Sequence, residues 1–262
     1  GGVYATLFPD RVASMVLDGA YDPQGDTAEE EYTTQAVGFE KAFTNWVTWC
    51  ETDIECDFQS KDVALKWELL YDRLDKTSVT TSKGREVNHE VLMTATKSML
   101  YARWGWTDLG SALQQTQDGK PDSLLELADR YQNRQDDGTY LTSNDSHYLI
   151  YCASGFEKKL PNDPEALVEK LKGVAPWYSQ GIDVSYFDEP GCEEIYKGIK
   201  IFDIAYKGKA PIVIIGGEND PATPFRWSQE MLTNMGTNAS LVRFTGEGHS
   251  QILESKCVNA IA

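Results

Sequence analysis

Pro211-Ile212-Val213-Ile214-Ile215-Gly216-Gly217-Glu218-Asn219-Asp220 decides the fold. The apolar, β-branched first half predicts a strand over 211–215. Two glycines end the run, and Asp220 follows five residues after Ile215. Leu241-Val242-Arg243-Phe244-Thr245-Gly246-Glu247-Gly248-His249 repeats the arrangement. It predicts a strand over 240–244, then a loop that presents His249, with Gly246 and Gly248 permitting a tight backbone path. Open α/β sheets carry functional side chains on loops at the carboxyl ends of strands, so Asp220 and His249 are expected at one sheet edge.

An acid followed 29 positions later by a histidine forms two-thirds of a charge-oriented nucleophile triad. Histidine is a useful base near neutral pH when a carboxylate on one ring nitrogen fixes the tautomer and stabilises the imidazolium. Asp220 and His249 are therefore the candidate catalytic residues. The bland readings are a surface loop histidine and an Asp-Pro turn former. A serine on a G-x-S-x-G elbow would complete the triad, and no such motif occurs in the 262 residues.

Outward from these strands, a helix is expected over 225–234 and a last helix from Gln251 to the end. At the other end, Gly1 to Phe8 reads as the middle of a helix, with no initiating Met and no cap. The chain is thus expected to begin inside an element, as a fragment or a processed product. A buried strand candidate over 12–19 follows, ending in Asp18-Gly19. Between about Thr27 and Lys200 the signals are mostly helical. Helices are expected around Phe39-Phe43-Trp46-Val47, Val63-Trp67-Leu70-Leu74, Val91 to Arg103, Trp106 to Leu113, Leu124 to Tyr131, and 164–172. The polar residues 133–146 read as loop, and 147–152 as a strand or a buried helix. The fold class is α/β: a partial sheet comprising the last strands, with a large, mainly helical cap insertion. The expected domains are 1–22 (core), 23–199 (helical cap) and 200–262 (core carrying Asp220 and His249).

A net charge of −17 excludes nucleic acid and anionic membrane surfaces as expected partners, since both need a basic face. It suits cationic substrates such as peptide amino termini, and equally a surface that serves solubility. No apolar run approaches the ~18 residues of a spanning helix. Among five cysteines, Cys50-x5-Cys56 fits neither zinc nor redox motifs and suggests a local disulfide in an oxidising compartment. Cys152 with Cys192 is a second candidate pair. Cys257 is then free, or paired outside this sequence; reduced, buried cysteines are the alternative for all five. His89 and His147 sit in no cluster with ligand spacing, so neither metal nor cofactor is expected. Trp104-Gly105-Trp106 and Trp177-Tyr178 are expected as cap core, with the lining of a substrate cleft as the alternative. Glu29, Glu30 and Glu31 suit a solvated helix start, where acids complement the dipole.

Asn219-Asp220-Pro221-Ala222-Thr223-Pro224, Gly246-Glu247-Gly248-His249 and the late Cys257 resemble the terminal portion of α/β-hydrolases. The likeness is narrower still to the tripeptidyl-aminopeptidase-like branch of the proline-iminopeptidase-type serine peptidases. Tyr4-Ala5, Phe8-Pro9-Asp10-Arg11-Val12 and Val16-Leu17-Asp18-Gly19 match the register that follows that branch's nucleophile elbow. The resemblance covers about 25 and 50 residues at the two ends and is vague across the cap. It implies a serine a few residues before Gly1, acyl-enzyme hydrolysis, peptide substrates cleaved from a free amino terminus, and a secreted or cell-surface location. The missing amino-terminal part would be a partner, holding any signal peptide. Cap carboxylates would receive the substrate ammonium; Glu29 to Glu31, Asp145 and Asp188 are candidates. Two other readings stay open: another cap-bearing hydrolase (esterase, lactonase or epoxide hydrolase), and a non-catalytic peptide-binding module.

Overall fold

The computed structural model describes residues 1–22, 24–153, 161–187, 202–252 and 254–262, without the side chains of His147, Tyr148 and Tyr151. The expected Cys192 and Asp188 lie outside the described residues. In chain order the helices and strands are α1 (Gly2–Leu7), β1 (Met15–Asp18), α2 (Ala28–Thr52), α3 (Val63–Lys76), β2 (Val79–Thr80), β3 (Glu86–Val87) and α4 (His89–Met99). Then come α5 (Gly105–Gln117), α6 (Asp122–Tyr131), α7 (Ser143–Ala153), α8 (Pro164–Val174), β4 (Ile212–Asn219), α9 (Phe225–Met235), β5 (Ala239–Glu247) and α10 (Lys256–Ile261). Two compact units result: Gly1–Lys41 with Tyr151–Ala262, and Ala42–Ile150.

The first unit holds a parallel sheet in the order β1-β4-β5, with Asp18 opposite Ile215 and Ile215 opposite Val242. Ile212, Ile214 and Ile215 are buried, as a strand covered on both faces requires. Ile212 and Ile214 pack with Ala5 of α1, Tyr206, and Met231 and Met235 of α9. Each of these buried Ile and Met side chains contributes about 1.5–3 kcal/mol. Parallel strands bring their carboxyl ends to the same edge, and that places the ends of β1, β4 and β5 together.

Five of the described helices begin where a side chain satisfies their first amides. Thr27 and Glu30 form a reciprocal capping box on α2: Thr27 N–H donates to Glu30 Oε2 at 2.8 Å and Glu30 N–H to Thr27 Oγ1 at 3.2 Å. Asp62, Asn88, Asp163 and Ser255 cap α3, α4, α8 and α10. The second unit packs its helices around Phe43, Trp46 and Trp67, and its Cys50–Cys56 disulfide is present. Cys152 is disulfide-bonded and buried, whereas Cys257 is free and exposed.

Several expectations need correction. The buried strand expected over 12–19 is the shorter β1, Met15–Asp18, half-buried with Val16 exposed. Strands β4 and β5 run through their glycines to Asn219 and Glu247, because ladder pairing continues from Gly216–Arg243 to Asn219–Glu247. The last helix starts at Lys256, where Ser255 supplies the cap that Gln251 cannot. Residues 133–146 are not all loop: Arg134 bridges Tyr140 and α7 begins at Ser143. Residues 147–152 are helical, but Leu149 and Ile150 are exposed. Helix α4 stops at Met99, short of Arg103. Trp106, Trp177 and Tyr178 are core, while Trp104 is exposed. The β2–β3 hairpin escaped the sequence reading because two-residue strands show no alternation.

Candidate active site

Strand β4 delivers Asp220 one residue past its end, and β5 delivers His249 two residues past its own. The structure brings the two side chains together: His249 Nδ1 lies 2.9 Å from Asp220 Oδ2 and 3.1 Å from Oδ1. Asp220 is 2% exposed, yet its carboxylate is well served. Its Oδ1 accepts from Ala222 N–H at 2.9 Å and Thr223 N–H at 2.8 Å, and its Oδ2 from the Thr223 hydroxyl at 3.1 Å. Buried carboxylates need such donors to stay charged. The Thr223 hydroxyl also lies 3.1 Å from His249 Nδ1, so threonine, acid and imidazole form one cluster.

The first half of α2 braces this loop. Gln35 Nε2 donates to Ala222 O at 2.8 Å, and Lys41 Nζ to Glu218 O at 3.2 Å. Beside Asp220, a cavity of about 340 Å³ opens between Thr33, Val37 and Lys41 of α2 and residues 218–220.

With Nδ1 committed to Asp220, Nε2 is the nitrogen left for a nucleophile's proton. Burial pushes the imidazole's pKa down, but the hydrogen bond and charge of Asp220, with the charge of Asp18, outweigh it; the pKa lies above the ordinary histidine value. The loop is locally constrained. Gly248 sits at φ +102° and Ser250 at φ +60°. That left-handed conformation costs a non-glycine residue about 1–2 kcal/mol, and it persists where surrounding contacts hold it.

Sequence reading missed Asp18, Gly19, Thr223 and Gln35 as neighbours of the site. Asp18 was legible in principle, since it closes a strand and precedes a glycine much as a site residue does. Glu29 accepts from Asn162 N–H at 3.0 Å, Glu30 serves the cap, and Glu31 bonds the Tyr21 hydroxyl. Asp145 lies in the first turn of α7. His89 pairs with Asp75 at 3.2 Å, and no group of metal-ligating side chains occurs among the described residues.

Residues 197–262 match the family model described as "TAP-like protein". The chain is also similar to three curated proteins. It is 26% identical to "Serine protease Hip1" of Mycobacterium tuberculosis (strain H37Rv), across 99% of this chain and 52% of that protein. It is 29% identical to "Carboxylesterase B" of the same strain, across 97% and 49%, and 20% identical to "Tripeptidyl aminopeptidase" of Streptomyces lividans, across 99% and 48%. The chain thus spans about half the length of the curated relatives it matches. Its parallel sheet, its strand-end acid and histidine and its helical segment are those of an α/β-hydrolase. Within that class the chain is similar to the TAP-like family over residues 197–262.

Proposed function

We propose that this chain carries the base and the orienting acid of a serine hydrolase that releases short peptides from a free amino terminus. The observation behind the reading is the His249 Nδ1–Asp220 carboxylate pair at the ends of two parallel strands. In the proposed reaction His249 Nε2 takes the serine proton as Oγ bonds to the scissile carbonyl carbon. The imidazolium, stabilised by Asp220, then gives that proton to the leaving amine as the C–N bond breaks. Water, its proton taken by His249 Nε2, adds to the acyl carbonyl carbon; the imidazolium then returns that proton to the serine Oγ as the ester bond breaks, releasing the acid product. The serine is proposed to precede Gly1 in the whole protein, with α1 as the helix that follows its turn.

Residues 23–199 are proposed as the mainly helical cap insertion. The names of the Hip1 and tripeptidyl aminopeptidase relatives favour peptide substrates. The disulfide favours an oxidising, secreted or cell-surface setting. No helix among the described residues is long and apolar enough to cross a membrane. The carboxylesterase relative favours a second reading, ester hydrolysis by the same acyl-enzyme route.

The test is a substrate panel on the intact protein: tripeptide anilides with free and with acetylated amino termini, and a short acyl ester. Preference for free termini, lost in His249→Gln, is expected. Equal cleavage of acetylated peptides overturns the exopeptidase reading, and ester turnover alone favours the second reading. Full activity in His249→Gln removes the base assignment.

A further inference from the structure

We infer that Asp18, with Gly19, is a positioning element for His249, holding the histidine loop from the end of the neighbouring strand. The inference rests on the reading of His249 as the catalytic base. Asp18 is the last residue of β1, opposite Ile215 of β4, and Gly19 N–H extends the ladder to Ile215 O at 3.1 Å. From that fixed point, Asp18 Oδ2 accepts two successive backbone amides, Gln251 at 2.6 Å and Ile252 at 2.7 Å. These amides lie two and three residues beyond His249, more than 230 residues from Asp18 in sequence. A single carboxylate oxygen therefore fastens the far side of the histidine turn to the sheet. Charge-assisted bonds to backbone amides are short and directional, which suits a hinge that must not move.

Three features indicate that this clasp serves the ring as well as the loop. First, Ser250 lies between His249 and the clasped amides at φ +60°, a conformation that surrounding contacts must impose. The buried bond from Gln251 Nε2 to Gly248 O, 3.0 Å, closes the same turn from inside. Second, Gly19 at φ +61° lies directly against the imidazole. A Cβ there would stand 2.7 Å from His249 Cε1 and 3.1 Å from Nδ1, so only a glycine leaves the ring its place. Third, Asp18 Oδ1 is buried with no hydrogen-bond partner among the described residues. An apolar residue would leave the Gln251 and Ile252 amides without this acceptor, and an asparagine would accept them without the charge. The retained charge adds to that of Asp220 in favouring the imidazolium.

The expected division of labour is clear. Asp220 sets the tautomer at Nδ1, while Asp18 and Gly19 set where the ring stands relative to the nucleophile. A misplacement of about 1 Å costs on the order of a hundredfold in rate.

The test compares Asp18→Ala, Asp18→Asn and His249→Gln in the intact protein, by kcat, KM and the pH–rate profile, with the His249 imidazole titration followed by NMR. Asp18→Ala, lacking the clasp, is expected to lower kcat by about 10- to 100-fold with KM within about twofold. Asp18→Asn keeps an acceptor oxygen and removes the charge. It is expected to recover most of kcat while moving the acid limb and the imidazole titration to lower pH, with Asp220 still facing the ring. If Asp18→Ala does not fold, the Asn variant alone decides through its titration. Wild-type kcat and titration in the Asp18 variants, with His249→Gln inactive, overturn this inference and leave the base assignment standing. Activity in His249→Gln overturns the base assignment itself.

Discussion

Replacing Asp220 with Asn separates the proposed orienting role of the acid from its structural one. The structure gives the buried carboxylate three local donors (Ala222 N–H, Thr223 N–H and the Thr223 hydroxyl) besides the imidazole. An Asn in the same rotamer keeps one oxygen, which can still accept both amides. Loss of the remaining bond and of the charge is expected to cost about 1–3 kcal/mol of stability. The catalytic cost is much larger. The Asn amide group presents N–H toward Nδ1, so the imidazole proton moves to Nε2, the nitrogen that must accept the serine proton. The same substitution in triad hydrolases lowers kcat by about 10⁴, or about 5.4 kcal/mol at 1.36 kcal/mol per tenfold. With the Asp220 hydrogen bond and charge gone, burial continues to depress the imidazole pKa, so the acid limb of any residual activity should move to lower pH. The assay is kcat/KM against pH for wild-type and variant intact protein, alongside denaturant unfolding. An Asp220→Asn enzyme that keeps more than a tenth of wild-type kcat while folded would refute the orienting role.

Other expectations follow from the same geometry. Gly19→Ala places a Cβ against His249 at positive φ; we expect a loss of about 1 kcal/mol or more in urea unfolding, and a fall in kcat of at least tenfold. Because the folded His249 pKa is raised, its pairing stabilises fully below the unfolded pKa and fades as pH rises through the folded value. His249→Gln should therefore destabilise more at pH 5.5 than at pH 9, measured by unfolding at both. Removing the Cys50–Cys56 bridge, which spans a separation of 6 residues, should lower the stability of the helical unit by about 2 kcal/mol, read by unfolding of the double Ala variant.

The strands carrying the site were legible because Ile212, Ile214 and Ile215 form an unbroken β-branched run that glycines interrupt. Where those strands stop was not, because Gly216 and Gly217 are turn residues by local chemistry while β5 keeps pairing with them. The nearness of Asp220 and His249 followed from parallel strand order, and the sequence suggested it through the equal spacing after each apolar run. The role of Asp18 stayed hidden, although its place at a strand end was legible, because its partners, the amides of Gln251 and Ile252, are main-chain groups with no residue signature, more than 230 positions away. Leu149 and Ile150 misled for the opposite reason. Their apolarity implied burial, yet the helix that holds them buries Cys152 and leaves both exposed.

The central claim is that His249 and Asp220 activate a serine that stands outside this sequence in the whole protein. Fluorophosphonate labelling of the intact protein, followed by peptide mass spectrometry, tests it most directly. The account predicts one modified serine ahead of Gly1, with labelling lost in His249→Gln. Stoichiometric modification of a serine within residues 1–262, or labelling undiminished without His249, would contradict it.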